Sequence, residues 1–209
     1  MAIWNIKERN ELVRSNDVIG NRGFFAAGNS PGTVNIIDFI SIASTGNAVD
    51  FGDTKAATAK TSACSSSVRG VMAGGTAGTN YEDIQYITIA SLGGLGGVAS
   101  DFGNLTDGRH QWKAAVSDNV RGIFAGGNLQ NPSNSMTNII DFITIASVGN
   151  AADFGDLSVA RRELAGTNGL TRGIFAAGDP GSNPYNLNTI DYITMASAGD
   201  ATDFGDLVT

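Results

Sequence analysis

Short apolar runs closed by glycine alternate with polar stretches along the whole chain, and their order repeats. An Arg-Gly pair opens an apolar run ending on small residues at 22–28, 69–75, 121–127 and 172–178. Each run is followed by a segment rich in β-branched and aromatic residues, Ile-Asp-Phe-Ile-Ser-Ile-Ala-Ser at 37–44 and its counterparts at 84–91, 140–147 and 190–197. Each copy then reaches an Asp-Phe-Gly triplet, beginning at Asp50, Asp101, Asp153 and Asp203. The Arg-Gly pairs recur every 47 to 52 residues, so register is held while loop lengths drift. A period of this size marks an array or a propeller.

Within the third unit, residues 121–127 are too few for a helix and bulky enough for a strand buried on both faces. A polar loop over 128–138 leads to a second strand over 139–147, favoured by its β-branched and aromatic content. Turn residues at 148–150 introduce a third strand over 151–157, and 158–166 supply a fourth. No 3.6-residue periodicity interrupts this pattern. Four short strands per unit and no helix describe a propeller blade.

The fourth unit stops after its third strand. Residues 9–16 match 161–168 at Arg, Glu, Leu and the final Asn, which suggests a circularly shifted repeat whose N-terminal strand completes the last blade beside Asp203-Phe204-Gly205. The expected fold is therefore all-β, a four-bladed β-propeller-like ring over residues 9–209, with units starting near 22, 69, 121 and 172 and a short tail over 1–8. Closure in this way removes open sheet edges. An open stack, or a longer ring built from several chains, is the competing architecture.

Composition narrows the partners. Glycine supplies 28 of 209 residues, well above the usual share of about 7%, as many tight turns require. Lys and Arg total 13 against 20 Asp and Glu, for a net charge of -7. That balance, with no basic run, argues against a nucleic-acid partner. No apolar stretch reaches 18 residues, so membrane insertion by a helix is not expected. The N-terminus lacks the pattern of a secretory signal. The single cysteine, Cys64, excludes an intrachain disulfide and fits a reducing cytosol.

The motifs at 122–127, 140–147 and 149–157 resemble the repeats of tail fibre and receptor-binding proteins of tailed bacteriophages, and the Gly-Gly doublet is similar to that of kelch propellers. The resemblance implies a virion tail component, assembled in the host cytoplasm, that meets other virion tail proteins and a host cell-surface glycan or protein, in homo-oligomeric form. The repeated Tyr and Trp positions of kelch units are absent here.

Chemistry offers few footholds. Asp-Phe-Gly matches a kinase magnesium motif, but it occurs in every unit without a phosphate loop or catalytic-loop signature, so it reads as a turn with a buried Phe and a capping Asp. The glycine-rich run at 93–97 lacks the Lys-Ser/Thr ending of a phosphate cradle and reads as a lengthened turn. His110 is the only histidine and reads as a surface side chain beside Arg109 and Gln111. Cys64 reads as a small buried filler. The once-per-unit Arg and Asp suggest ion pairs between neighbouring blades. No catalytic residue, metal site or cofactor is expected.

The loops between the first two strands, 29–35, 76–82, 128–138 and 179–189, differ most between copies and emerge on one rim of a propeller. Tyr81 and Tyr185 suit stacking on sugar rings, and Asn131, Asn134, Asp179 and Asn183 suit hydrogen bonds to hydroxyls; solvated turns are the plain alternative. Ile3, Trp4 and Ile6 in the tail either anchor the ring to another virion protein or fold back on it. The functional expectation is a non-enzymatic receptor-binding module, with a structural virion component or a glycan depolymerase as alternatives. Glycosidase chemistry needs two carboxylates about 5–10 Å apart, and Glu82 and Glu163 form no evident pair.

Overall fold

A computed structural model describes residues 22–29, 31–76, 82–89, 97–110, 113–129 and 135–208. Among these residues there is no helix. Four four-stranded sheets follow one another along the chain. Sheet II comprises Ser62–Ser65, Arg69–Ala73, Asp83–Thr88 and Ser100–Asn104. Sheet III comprises Ala114–Ser117, Arg121–Ala125, Ile139–Thr144 and Ala152–Asp156, and sheet IV Ala165–Asn168, Arg172–Ala176, Thr189–Thr194 and Thr202–Asp206. In each the strands are antiparallel in chain order. Sheet I contains Arg22–Asn29, Thr33–Ser41 and Val49–Thr58, with the short Gly97–Val98 pairing in parallel along its outer side.

The strand phase differs from the sequence expectation. In sheets II, III and IV the segment before the Arg-Gly pairs with that Arg-Gly strand, as Ala165 opposite Ala176 and Asn168 opposite Gly173 show. It does not pair with the Asp-Phe-Gly strand of the unit before it. The cause is local: Asn119-Val120 and Gly169-Leu170-Thr171 are tight connections, and short connections between antiparallel strands form hairpins. The strand is also shorter than expected, since 158–164 lie outside it. Residues 9–16, expected to close a ring against Asp203-Phe204-Gly205, lie outside the described residues.

The Asp-Phe-Gly triplet is a β-bulge within a strand rather than a turn. Asp153 lies opposite Asp141 and Gly155 opposite Ile140, which leaves Phe154 as the extra residue. The same shift recurs in the other three sheets. Asp153 and Asp203 accept the N–H of the glycine two residues on, at 3.2 and 3.0 Å. Gly155 has φ of +139° and sits so close to the next unit that a Cβ would lie 2.5 Å from Gly199 backbone atoms. Only glycine permits both the conformation and the approach.

The cores lie between sheets, not within them. Phe51 packs with Met72, Ile87 and Ala99 between sheets I and II; Phe102 and Leu105 with Phe124, Ile143 and Ile145 between II and III; and Phe154 and Leu157 with Phe175, Ile193 and Met195 between III and IV. No corresponding core joins sheet IV to sheet I among the described residues. Phe204, expected to be buried like its three counterparts, is 55% exposed, whereas Phe154 is 2% exposed. The correction has a plain cause: burial of this Phe comes from the following unit, and among the described residues no unit lies against sheet IV.

Candidate binding face

In sheets II, III and IV the Arg-Gly strand ends at a loop that is propped by the connection leading into the same sheet. Arg109–His110 pairs with Asn128–Leu129 in a small ladder, and Arg162 forms a bridge with Asp179. These supports place the loops of sheets III and IV side by side. A Cβ on Gly181 would lie 2.7 Å from Met136 Cε, so the two longest loops meet at these residues.

Of the expected binding residues, Tyr185 is 65% exposed and Asn183 is exposed beside it, joined to Pro184 by a cis peptide. Asp179 is otherwise engaged. Its carboxylate accepts the Gly181 N–H at 2.6 Å and the Arg162 guanidinium at 2.9 Å. The backbone bond, reinforced by Arg162, holds its pKa below the ordinary carboxylate range. Both contacts tie Asp179 to the start of its own loop and to the segment entering the sheet. Tyr81, Asn131 and Asn134 lie outside the described residues.

The repeated arginines do not form the expected ion pairs with the Asp-Phe-Gly aspartates. Arg22, Arg69, Arg121 and Arg172 lie over Phe39, Tyr86, Phe142 and Tyr192 of their own sheets, 4.4 to 5.2 Å from the ring centroids. Those rings in turn meet the triplet Phe edge to face, as Phe142 does Phe154 at 5.8 Å. An ion pair between units does occur at Asp101, but its partner is Lys55, at 2.6 Å.

Buried charges were missed in the sequence. Arg109 and Arg161 are fully buried and pair with the equally buried Asp141 and Asp191 of the Ile-Asp strands. Thr106 and Ser158 hydroxyls donate to the same carboxylates. The available signal was the Asp recurring at 38, 141 and 191, in a strand otherwise apolar on that face. Lys113 is buried beside Arg109 and donates to its carbonyl at 3.1 Å. Thr61, Lys113, Glu163 and Leu164, from segments entering sheets II, III and IV, line one cavity of about 270 Å³.

Burial, with the Arg109 guanidinium adding to it and Asp141 opposing, lowers the Lys113 pKa from 10.5 to about 7. Between those values the unfolded chain binds a proton that the native state releases. Stability is therefore expected to rise from pH 7 to pH 9 and to be lowest below pH 7, where the native state carries the buried ammonium. Urea midpoints across that range test this, and Lys113→Met should flatten the rise.

Cys64 lies against Gly122, at the wall of an apolar cavity of about 320 Å³ between sheets I and II. Burial pushes its thiol up to about 12, which keeps it from acting as a thiolate nucleophile near neutral pH. Among the described residues no cluster of His, Cys, Asp and Glu is arranged to hold a metal. No protein-family model matches the chain, and no curated protein matches it.

Proposed function

We propose that the chain is a non-enzymatic receptor-binding module of a phage tail fibre, in which propeller-like units carry a rim of loops that recognises a host surface glycan or protein. The observation that carries this reading is the joining of the two longest loops at Met136 and Gly181, with Tyr185 projecting from the joined surface. A flat exposed ring on a fixed loop offers stacking area at small entropic cost. The Asp179–Arg162 pair holds that loop in place before any ligand arrives. The propeller-like arrangement is supported by the cavity shared by Thr61, Lys113 and Glu163, since segments entering three successive sheets meet there as they would around an axis.

Attachment to host cells, and binding to their purified surface polysaccharide, test the reading. Tyr185→Ala is expected to weaken binding about tenfold, which corresponds to about 1.4 kcal/mol, with no change in melting temperature. Absence of binding by the unaltered protein would favour a structural virion component, and appearance of new reducing ends would favour a depolymerase.

A further inference from the structure

The two ends of the array carry complementary halves of one interface. Between sheets I and II, II and III, and III and IV, the arginine of one unit donates to a carbonyl of the next: Arg22 to Ile89 at 3.3 Å, Arg69 to Ile145 at 2.8 Å and Arg121 to Met195 at 2.9 Å. Backbone bonds repeat with equal regularity. Ala99, Ala151 and Ala201 donate to Asp53, Asn104 and Asp156 at 2.7 to 2.8 Å, and Gly149 and Gly199 donate to Phe102 and Phe154 at 2.7 and 2.6 Å. The side chains of Asn150 and Asp200 accept the N–H of Asn104 and Asp156.

Sheet IV carries the half made of the arginine and the Asp-Phe-Gly strand, and among the described residues no sheet is seated on it. Phe204 and Leu207 are exposed, where Leu105 and Leu157 are buried. Arg172 donates to no carbonyl of another unit among the described residues. Sheet I carries the other half. Ile42, the counterpart of Ile89, Ile145 and Met195, is 66% exposed, and Phe25, the counterpart of the buried Phe124 and Phe175, is 60% exposed. A Cβ on Gly205 would meet no atom within 4 Å, whereas one on Gly155 would lie 2.5 Å from Gly199 backbone atoms. Repeat arrays usually end in units with a polar outer face, and these ends are apolar.

We propose that the sheet IV face of one copy docks on the sheet I face of a second copy, head to tail, reproducing the interface already present three times in the chain. The contacts are fixed by the repeat: Arg172 donates to the Ile42 carbonyl, Gly46 N–H to the Phe204 carbonyl, Ala48 N–H to the Asp206 carbonyl, and Asp206 N–H to the Asn47 side chain. Phe204 and Leu207 enter the space beside Phe25 and Ile42. Such a contact is heterologous, so it closes a ring or grows a filament according to the rotation per step. Because segments entering sheets II, III and IV share one cavity, successive units turn about an axis, and a closed oligomer of defined mass is expected.

Light scattering on the 209-residue chain reads the outcome directly. The unaltered chain should have a mass that is a multiple of 21.5 kDa. The pair Phe204→Asp with Leu207→Asp, and separately Phe25→Asp with Ile42→Asp, should each give monomers, because each has lost one half. Mixing the two should yield a dimer with one of each, since each retains the half that the other lacks. An unaltered protein that is monomeric at every concentration, or a mixture that stays monomeric, overturns the proposal. Should the variants not fold, Asn47→Cys combined with Asp206→Cys in one chain decides: oxidation should give crosslinked multimers on a non-reducing gel, and only intrachain bonds would show that the chain closes on itself. Tyr185→Ala is expected to leave the mass unchanged, so failure of assembly and failure of receptor binding are separable.

Discussion

Phe154→Ala is expected to lower stability by about 3–5 kcal/mol, while Phe204→Ala lowers it by about 1 kcal/mol or less. Both residues occupy the same place in the repeat, follow a capping Asp and precede a glycine in the bulge. Both meet an aromatic ring of the adjacent strand edge to face, Phe142 at 5.8 Å and Tyr192 at 6.0 Å. What separates them is the neighbouring unit. Phe154 is covered by Phe175, Ile193 and Met195 of sheet IV, and its removal leaves a cavity between two sheets that backbone contacts hold at fixed spacing. Among the described residues Phe204 has no sheet beyond it, and it loses mainly its contact with Tyr192. Chemical denaturation of both variants, measured on monomers made with Phe25→Asp and Ile42→Asp, tests the difference. Equal losses would mean that the cores lie within units rather than between them.

The position of these cores explains how far the sequence could be read. Period, strand content and the capping Asp of the triplets were legible because each rests on local chemistry: β-branched runs, glycines at tight backbone positions, and an Asp placed to cap the second N–H beyond it; that the triplet bulges within a strand instead of turning was not. The strand phase was not. A segment such as 165–168 lies between two strands in sequence and has polar, small side chains that favour neither partner; the hairpin at Gly169–Thr171 decides. The fate of Phe204 was equally hidden, since an identical triplet is buried or exposed according to whether another unit follows it in space. At the loop face, composition picked out Tyr185, but Asp179 has the same look as a free hydrogen-bonding residue and is instead committed to Arg162 and Gly181.

Single removal of either member of the Arg161–Asp191 pair is expected to be as damaging as loss of a core aromatic, about 3–5 kcal/mol, because the partner would remain charged and without water. The carboxylate of Asp191 accepts Arg161 Nη2 at 3.0 Å, Ser158 Oγ at 2.7 Å and Ser158 N–H at 3.1 Å, and Arg161 Nη2 also donates to the Phe175 carbonyl at 3.3 Å. Asp191→Leu therefore strands a guanidinium and two donors, and Arg161→Met strands a carboxylate. The double variant Arg161→Met with Asp191→Leu removes both charges together, and should recover most of the loss. The chain contains a precedent for charge-free wiring at this position. Sheet II carries Gln85 where the others carry Asp, and its side-chain oxygen accepts the Lys55 backbone N–H at 2.9 Å, the counterpart of the Ser158 N–H bond to Asp191. A double-mutant cycle by urea unfolding gives the result: recovery in the double variant shows that the pair fixes the arrangement of the strands more than it adds net stability, whereas additive losses would show that the ionic contact itself stabilises the fold.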